Sequence, residues 1–415
     1  MSERLSEESD HPVQHEAVVI GAGPAGLAAA AMLDKQGVEA VVLERAGDVG
    51  ASWRSHYDRL HLHTVRWLSG LPGKPISRSE GPWVAREGVV RYLEDYARTF
   101  HLNVRTGISV HRVEREGEGW LLATSEGRIR SQWVVIATGF NGEPFMPDWP
   151  GRDSYRGELI HSSKYRNAEP YRGRDVLVVG TGNSGAEICV DLVEGGAKQV
   201  VLSVRTPPNI LRRDVVGFPT QALGVAIRRL PIALVDRMTA VAQRLTVGDL
   251  SKHGLPRAPR GMYSRVVQDD QVPILDVGLI GLLKADKVKV VGAVEGLDGA
   301  DVVFDDGTRL RPDAVIAATG FRRGLEPLVG HLGLIGRNGR PMVHGPETHP
   351  AAPGLFFIGF SNPISGNLRE IKIDARRIAR ALASKRGAPS AKRMLLSPAR
   401  WASRYRQPLP VDTAS

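Results

Sequence analysis

The residues of this sequence that are best suited to chemistry are glycines in two turns that could bind phosphate groups. The first turn lies in Ala17-Val-Val-Ile-Gly-Ala-Gly-Pro-Ala-Gly26 and leads into an alanine-rich helix that we expect to end near Gln36. Gly21 permits the tight turn, Gly23 lets the backbone approach a pyrophosphate, and Gly26 allows the helix to pack closely on the strand. The helix N-terminus adds free N–H groups and a positive potential. The candidate cofactor-binding residues of this turn are Gly21, Gly23, Pro24, Ala25 and Gly26.

An acidic residue follows the first turn at the distance expected for binding a ribose. Glu44 ends a predicted strand at 40–44 and lies 18 residues beyond Gly26. A carboxylate at that place accepts hydrogen bonds from ribose hydroxyls. The alternative is a surface glutamate beside a structural turn. Glu44 and its neighbour Arg45 are therefore candidate cofactor-binding residues.

A second glycine turn, in Val176-Leu-Val-Val-Gly-Thr-Gly-Asn-Ser-Gly185, has the same order of strand, turn and helix. The strand that follows it ends in Ser203-Val-Arg205, without an acid. An acid would repel a 2′-phosphate, whereas an arginine and a hydroxyl would bind one. The pattern predicts NADPH rather than NADH, and the alternative is a salt-bridged surface arginine. The candidates here are Gly180, Gly182, Asn183, Ser184, Gly185, Ser203 and Arg205.

A repeated strand indicates two similar units in one chain. Val134-Val-Ile-Ala-Thr-Gly-Phe140 recurs as Val315-Ile-Ala-Ala-Thr-Gly-Phe321, and each copy is typical of a buried parallel strand that ends in a glycine turn. The turns add four candidate cofactor-binding residues, namely Thr138, Gly139, Thr319 and Gly320. We predict an α/β protein with two Rossmann-like dinucleotide-binding domains.

Two dinucleotide sites in one chain have a common use, which is hydride transfer between a nicotinamide and a tightly held flavin. The first site, with its ribose acid, suits FAD, and the second suits NADPH. The predicted FAD-binding domain is discontinuous and comprises residues 16–165 and 310–385. The predicted NADPH-binding domain comprises residues 166–309, with a helical insert at 221–250. Residues 1–15 are predicted to form a disordered tail, and residues 386–415 a C-terminal extension.

Length and composition exclude several classes of protein. A chain of 415 residues, 42% of them hydrophobic, is neither disordered throughout nor too small to bury a core. Its one cysteine, Cys189, excludes a disulfide scaffold and a dithiol redox motif and fits a reducing, cytoplasmic location. The net charge of +10 comes from dispersed basic residues without interleaved aromatics, so we expect no nucleic-acid partner. We predict no membrane span, signal peptide or metal site, and a homodimer is left open.

A third pattern lies between the two turns, at Tyr155, Gly157, His161 and Tyr165. With Tyr155 in place of the usual phenylalanine, these residues match F-x-G-x-x-x-H-x-x-x-[FY], the identifying pattern of the flavin-containing monooxygenases. The sequence resembles that family of class B flavoprotein monooxygenases. In the family this segment links the domains near the cofactors, so a structural role for His161 is open beside a catalytic one.

Further segments resemble the YUCCA-type branch of the same family, whose members are indole-3-pyruvate monooxygenases. The similarity runs from about residue 16 to residue 383. Among the segments that carry it are Glu44-Arg45, Ala51–Trp53, Tyr57–Leu60, Leu62-His63, Leu230-Pro231 and Pro273–Gly278.

The resemblance implies a mechanism and a substrate class. NADPH would reduce FAD, a flavin C4a-(hydro)peroxide would form with dioxygen, and one oxygen atom would enter a small organic substrate. The YUCCA-type branch acts in this way on indole-3-pyruvate, an aromatic 2-oxo acid, by oxidative decarboxylation. The alternatives are N- or S-oxygenation, a Baeyer–Villiger reaction and electron transfer by a flavin reductase.

The resemblance also implies site residues. Register with the Leu-x-Leu-His segment puts His63 where many animal members of the family carry an active-site asparagine. His63 is therefore the catalytic candidate, and a packed histidine is the alternative. Trp53 and His61 join the candidate cofactor-binding residues. Two departures from the plant sequences, Ala51 in place of a glycine and the closing segment 359–374, leave the substrate open.

The predicted insert and the charge of the substrate raise two further questions. The mostly apolar stretch 221–250, broken at Pro231, suits amphipathic helices. These would form a packed insert, a lid over the substrate entrance or a membrane-surface patch.

A substrate carboxylate would need a cation. Arg66, Lys252 and Arg257 are candidates because they lie near segments expected at the entrance.

Overall fold

The computed structural model describes residues 12–215, 217–227, 230–269, 271–361 and 363–386. Residues 1–11 of the predicted tail and residues 387–415 of the predicted extension lie outside the described residues. Residues 13–15, which the sequence analysis assigns to the tail, instead begin the first strand. They do so because they pair in register with residues 129–131 of a neighbouring strand.

The described residues form strands β1 to β21 and helices α1 to α11. Strands β1 to β10 are Val13–Ile20, Ala40–Glu44, Asn103–Thr106, Val110–Glu116, Gly119–Thr124, Gly127–Ile136, Glu143–Pro144, Glu158–His161, Asp175–Val179 and Gln199–Ser203. Strands β11 to β21 are Ile210–Arg212, Asp214–Val215, Phe218–Pro219, Ile274–Asp276, Val288–Val291, Val294–Asp298, Asp301–Phe304, Arg309–Leu310, Ala314–Ala317, Phe321–Arg322 and Leu355–Phe357. The helices are Pro24–Asp34, Ala51–Arg54, Arg66–Ser69, Arg86–Thr99, Asn183–Glu194, Thr220–Ile227, Ile232–Thr246, Met262–Gln268, Leu279–Lys284, Glu326–Val329 and Asn367–Arg386.

The first unit is built on a seven-stranded sheet in the order β3-β2-β1-β6-β5-β4, with β21 also paired to β6. The strands β3, β2, β1, β6 and β21 are parallel, and β4 and β5 extend the sheet as antiparallel hairpins. Ala17 and Val19 pack against α1 and α11 on one face, whereas Val18 and Ile20 pack against residues of 325–360 on the other. Because both faces are covered, the end of β1 is continuously apolar.

The second unit contains a five-stranded parallel sheet in the order β15-β10-β9-β19-β8. Helices α5 and α9 cover one face, and strands β16 and β17 cover the other. This topology differs from the predicted domain boundaries, because β8 and β19 come from ranges that the sequence analysis assigns to the FAD-binding domain. The two copies of the repeated strand belong to different sheets, with β6 beside β1 and β19 beside β9. The chain returns to the first sheet with β21 instead.

The predicted insert contains two helices, α6 and α7, on either side of Pro231. Proline lacks an N–H and suits a helix start better than a helix interior. Helix α6 is fastened to the first unit by the buried amide of Gln221, which accepts from the Val65 N–H (2.8 Å) and donates to the Ser365 carbonyl (2.7 Å). These contacts pack α6 against the first unit, whereas Leu234, Val241 and Leu245 of α7 are exposed, so the lid and the membrane-surface patch stay predictions beside the packed insert. Within the described part of the chain, no helix is both long enough and apolar enough to cross a membrane.

A buried histidine–aspartate pair holds the segment that leads into α11. The Phe360 N–H donates to Nε2 of His344 (3.4 Å), so Nδ1 carries the proton and donates to Oδ2 of Asp374 (3.2 Å). Burial lowers the pKa of His344 to about 4. Burial, reinforced by the nearby Glu370, raises the pKa of Asp374 to about 6. The two shifts have opposite effects on how stability changes with pH.

Replacing Asp374 with Asn should make stability rise more steeply with pH than it does in the wild type. A carboxyl group with a raised pKa stabilises the fold while protonated, and that contribution is lost as the pH rises through about 6. The variant lacks this loss. The difference in free energy of unfolding, variant minus wild type, should therefore be about 1 kcal/mol larger at about pH 7 than at about pH 5. Urea unfolding at both pH values measures the difference. His344→Asn should change the slope in the opposite sense, and parallel pH curves for wild type and Asp374→Asn would contradict the assignment.

Candidate functional site

The first glycine turn, between β1 and α1, has the geometry of a dinucleotide cradle. Gly21 has a φ of +104°, and a Cβ there would lie 2.7 Å from the carbonyl oxygen of Ala137. A Cβ at Gly26 would lie 1.8 Å from the carbonyl oxygen of Gly21, so helix and strand approach this closely only without side chains. A Cβ at Gly23 would meet no protein atom within 4 Å, so the backbone of Gly23 faces outward. These residues fit the pyrophosphate of FAD.

Glu44 closes the first cradle at the end of β2. Its Oε2 accepts a hydrogen bond from the Ala22 N–H (2.7 Å), and its Oε1 accepts one from the Ala46 N–H (3.0 Å). The half-buried carboxylate is thereby held beside the turn, where a ribose of FAD would reach it. Arg45 is exposed, and Pro24 and Ala25 begin α1.

The second glycine turn, between β9 and α5, repeats this geometry. Gly180 has a φ of +114°, and a Cβ there would lie 2.5 Å from the carbonyl oxygen of Ala318. A Cβ at Gly185 would lie 2.1 Å from the carbonyl oxygen of Gly180, whereas a Cβ at Gly182 would meet no protein atom within 4 Å. The same three glycine functions are therefore present in the second unit, and they fit the pyrophosphate of NADPH.

The residues after the second cradle separate into buried and exposed groups. Ser203 differs from its prediction, because its side chain is buried and its hydroxyl donates to the Gly292 carbonyl (2.7 Å). Because that hydroxyl already donates its hydrogen to a carbonyl at the edge of the sheet, it does not have this hydrogen to donate to a phosphate. Arg205, two residues on, is exposed. Asn183 ties the start of α5 to β14, since its Oδ1 accepts from the Leu275 N–H (2.8 Å).

A buried polar cluster joins the two units beside the second cradle. Nε2 of His63, in the loop before α3, lies 3.0 Å from Oε1 of Glu187, which is on α5 and only 4% exposed. Tyr57 is also buried and contacts the side chains of Glu187 and Ser184. Burial and Glu187 together raise the pKa of Tyr57 well above its ordinary value, against the opposing Ser184 hydrogen bond. Nδ1 of His63 is buried and has no hydrogen-bond partner among the described residues.

His161 fixes the turn that follows β19. Its Nδ1 accepts from the Ser163 N–H (3.1 Å), so Nε2 carries the proton and donates to the Gly320 carbonyl (2.9 Å). Burial lowers the pKa of His161, and the ring packs edge-on against Phe321. In the same turn, the Thr319 hydroxyl donates to the Phe145 carbonyl. Of the two roles open for His161, these contacts support the structural one.

The remaining predicted cofactor-binding residues lie in three settings. Thr138 and Gly139 follow β6 beside the first cradle, where a Cβ at Gly21 would lie 3.3 Å from the Cα of Thr138. Trp53 is half-buried and packs against the hydrophobic cores of both units. His61 is exposed, and its Nδ1 hydrogen-bonds the carbonyl of Arg59 (2.7 Å).

The three predicted carboxylate-binding cations are engaged or exposed. One terminal nitrogen of Arg66 donates to the carbonyl oxygen of Ile76 (3.0 Å), while its buried Nε has no hydrogen-bond partner among the described residues. Lys252 and Arg257 are exposed in the loop after α7, with Arg257 4.0 Å from Asp249.

Sequence reasoning missed three other residues of this region. They are Tyr57 and Glu187 of the buried cluster and Arg213, whose guanidinium stacks on Trp83. An acid within the otherwise apolar run Ala186–Val190 was the available signal for Glu187. No local pattern links Arg213 to Trp83, because their contact joins distant parts of the chain.

Comparisons with known proteins agree with this geometry. Residues 18–215 match the family of pyridine nucleotide-disulphide oxidoreductases. The chain is 36% identical over 351 residues to indole-3-pyruvate monooxygenase YUCCA1 of Oryza sativa subsp. japonica, covering 83% of this chain and 86% of the relative. It is 35% identical over 374 residues to YUCCA6 of Arabidopsis thaliana, covering 87% and 88%. This chain belongs to the flavin-containing monooxygenase family.

Solved structures place this flavin-containing monooxygenase in the same fold. A flavin-containing monooxygenase from Stenotrophomonas maltophilia matches with a TM-score of 0.69 at 26% identity, over 90% of this chain and all of that one (100%). Cyclohexanone monooxygenase from Rhodococcus sp. Phi1, at 20% identity over 91% of this chain and 85% of its own, shares the fold with a TM-score of 0.68. The predicted family, the two-unit dinucleotide-binding fold and the class of enzyme, an FAD- and NADPH-dependent monooxygenase, are confirmed at the level of the family. With one cysteine, the chain lacks the dithiol of disulphide reductases.

Gly23→Ala and Gly182→Ala form a matched pair that separates the two cradles. Both glycines have ordinary extended backbone angles and open surroundings, so both variants should fold. Gly23→Ala should lower the FAD retained after dialysis by about 10-fold, because the methyl group meets the pyrophosphate. Gly182→Ala should keep its flavin and raise the KM for NADPH on the order of 10-fold. Flavin absorbance per chain and steady-state kinetics measure both, and the reverse assignment of defects would contradict the identity of the cradles.

Proposed function

We propose that this enzyme oxygenates an aromatic 2-oxo acid by oxidative decarboxylation, with indole-3-pyruvate as the first candidate. The relatives YUCCA1 and YUCCA6 are named for that activity and match most of this chain. In the balanced reaction, the acid, dioxygen, NADPH and a proton give CO₂, the acid one carbon shorter, NADP⁺ and water. The bond between the carboxyl and keto carbons breaks, one oxygen atom enters the new carboxyl group, and the other leaves as water.

The observation that carries this proposal is the contact between His63 and Glu187. It brings a loop of the first unit to helix α5 of the second, one turn beyond the residues proposed to bind NADPH. Hydride transfer requires the two cofactors to meet, and this junction supports such a meeting beside an ionisable side chain.

We assign the cofactors to the two cradles. FAD is held by Gly21, Gly23, Gly26 and Glu44, with the turn at Thr138-Gly139 beside them. NADPH is held by Gly180, Gly182, Gly185 and Arg205, with the turn at Thr319-Gly320 nearby. The bound flavin supplies a hydride acceptor and a centre that activates dioxygen. The chain supplies the positions of the reactants, the exclusion of water and the control of protons.

We propose His63 as the catalytic residue and Glu187 as its positioning residue. The Glu187 carboxylate, 3.0 Å from Nε2, favours the tautomer that carries its proton there. In the neutral ring, Nδ1 is then an acceptor, and no described residue uses it. His63 is therefore suited to hold a hydrogen bond or a proton at the reacting atoms. The hydroxyl of buried Tyr57 also hydrogen-bonds the Glu187 carboxylate, which helps to hold that carboxylate beside His63.

We further propose a cytoplasmic location and a small-molecule substrate used together with dioxygen. The lone thiol, Cys189, is fully buried, and burial raises its pKa, which suits a chain that keeps its cysteine reduced. A homodimer and the lack of a nucleic-acid partner stay predictions.

Arg205→Ala should raise the KM for NADPH on the order of 10- to 100-fold while changing the KM for NADH by less than about 2-fold. The guanidinium is proposed to bind the 2′-phosphate, which only NADPH carries. Steady-state NADPH and NADH oxidation at fixed oxygen measures the two constants. Arg237→Ala, at an exposed position on α7, removes the same charge and should leave both constants as they are. Equal losses with both nucleotides in Arg205→Ala would defeat the assignment.

His63→Ala should uncouple NADPH oxidation from oxygenation. Loss of the hydrogen bond to the reacting atoms should lower the product formed per NADPH by at least about 10-fold. One molecule of hydrogen peroxide should appear for each molecule of product that is lost. Glu187→Gln should shift the pH profile of coupling, because the neutral amide no longer fixes the His63 tautomer. Peroxide, product and flavin content are measured together across pH. Unchanged coupling and rate in His63→Ala would remove this residue from the mechanism.

Product analysis with the wild type tests the substrate. NADPH consumption is measured against aromatic 2-oxo acids, ketones, amines and sulfides, with ¹⁸O₂ and mass spectrometry of the products. The proposal predicts CO₂ and a shortened acid that carries one ¹⁸O atom. A lactone or ester, an N-oxide or a sulfoxide would support the alternative oxygenations instead.

A further inference from the structure

A stacked arginine–tryptophan pair bridges the two units. Cζ of Arg213 lies 4.5 Å from the centroid of the Trp83 ring. Arg213 lies between β11 and β12 of the second unit, and Trp83 lies just before α4 of the first. Both side chains are half-buried. Stacking on an aromatic face holds the guanidinium plane while leaving its edge N–H groups available.

The charge of Arg213 is not matched by a direct partner. Among the described residues, no carboxylate or carbonyl oxygen hydrogen-bonds its guanidinium. Burial lowers the pKa of Arg213, while Glu187 and Asp214 act on it in the opposite direction from farther away. Buried Arg265, by contrast, donates to the Pro207 carbonyl and to the side chain of Gln271. None of the Arg213 nitrogens is among the buried atoms without a partner, so the guanidinium is open to solvent and to a ligand that supplies an acceptor.

Hydrogen bonds through the start of α6 tie Arg213 to the part of the first unit that carries His63. Glu187, whose charge acts on Arg213, is the carboxylate that contacts His63. The backbone of Arg213 is fixed, because its carbonyl accepts from the Thr220 N–H (3.1 Å) at the start of α6. The next residue, Gln221, fastens that helix to Val65 and Ser365 of the first unit. The guanidinium is therefore presented by an anchored element rather than by a free loop.

We propose that Arg213, held by Trp83, binds the carboxylate of the substrate, so that this pair selects small aromatic acids over neutral aromatic compounds. The planar fork of arginine matches the two oxygens of a carboxylate. This inference rests on the proposed function for the identity of the reacting group. A phosphate of NADPH has similar chemistry, and the experiment separates the two sources.

Binding of a matched ligand pair to the FAD-loaded, oxidised protein tests the subsite. Indole-3-acetate carries the carboxylate, and indole-3-acetamide is its neutral counterpart of the same shape. Isothermal titration calorimetry should show that Arg213→Gln weakens binding of the acid on the order of 10- to 100-fold, and of the amide by less than about 3-fold. Arg213→Lys should give an intermediate loss, because it keeps the charge without the fork.

Arg212→Gln is the matched control, since it removes the same charge one residue away. Arg212 is exposed and donates to the carbonyl of Thr246 (2.9 Å), so both ligands should bind this variant as they bind the wild type. A second titration compares the binding of NADPH and NADH to Arg213→Gln, because only NADPH carries the 2′-phosphate. A selective loss of NADPH, with binding of the acid unchanged, would overturn the subsite in favour of a phosphate contact.

A measurement on the wild type covers the case in which the Arg213 variants fold poorly. Phenylglyoxal modification, read by mass spectrometry, should be slowed several-fold at Arg213 by saturating indole-3-acetate and left unchanged at Arg212. Equal labelling of Arg213 with and without the acid would overturn the proposal.

The proposed reaction and the proposed carboxylate subsite can each fail without the other. If the wild type forms no product from any 2-oxo acid while acid binding still depends on Arg213, the carboxylate subsite stands and the proposed reaction falls. If Arg213→Gln makes product with an unchanged KM for the acid, the subsite falls and the proposed reaction stands.

Discussion

Backbone contact inside the two glycine turns is the constraint on which the rest of this structure depends. In each unit, the carbonyl oxygen of the first glycine occupies the place that a Cβ of the third would take, at Gly21 and Gly26 and again at Gly180 and Gly185. The helix can therefore begin against the end of its strand, with its free N–H groups at the carboxyl edge of the sheet. A side chain at the third glycine would push the helix away from the strand, and the anion site would be lost with it.

Two cradles in one chain are useful only if the units are held in one orientation, and buried polar contacts do this. The buried amide of Gln221 bonds Val65 and Ser365 of the first unit, and His63 meets Glu187 across the junction. Buried polar groups are costly when their partners are displaced, so such contacts specify orientation more sharply than apolar packing does. The same cost explains how His63, which we propose to be catalytic, can be kept in one tautomer at this junction.

Local patterns in the sequence predicted both glycine turns and the place of Glu44, because turn conformation and close packing act over a few residues. They failed where the outcome depends on distant partners. The repeats that contain β6 and β19 are nearly identical, so only strand pairing shows that they belong to different sheets. Ser203 follows the pattern of a phosphate ligand, but its neighbour across the sheet edge, Gly292, takes its hydroxyl. Glu187 and Arg213 were missed because their contacts, with His63 and Trp83, are made with side chains that the fold brings from the other unit.

We propose that the two cradles bring NADPH and FAD together so that a hydride passes between them. Anaerobic stopped-flow mixing of the FAD-loaded protein with NADPH tests it most directly, with the visible absorbance of oxidised flavin as the signal. We expect complete bleaching in a single turnover before any substrate or oxygen is added. Flavin that stays oxidised under excess NADPH, in protein that retains its FAD, would show that no hydride passes between the two cradles.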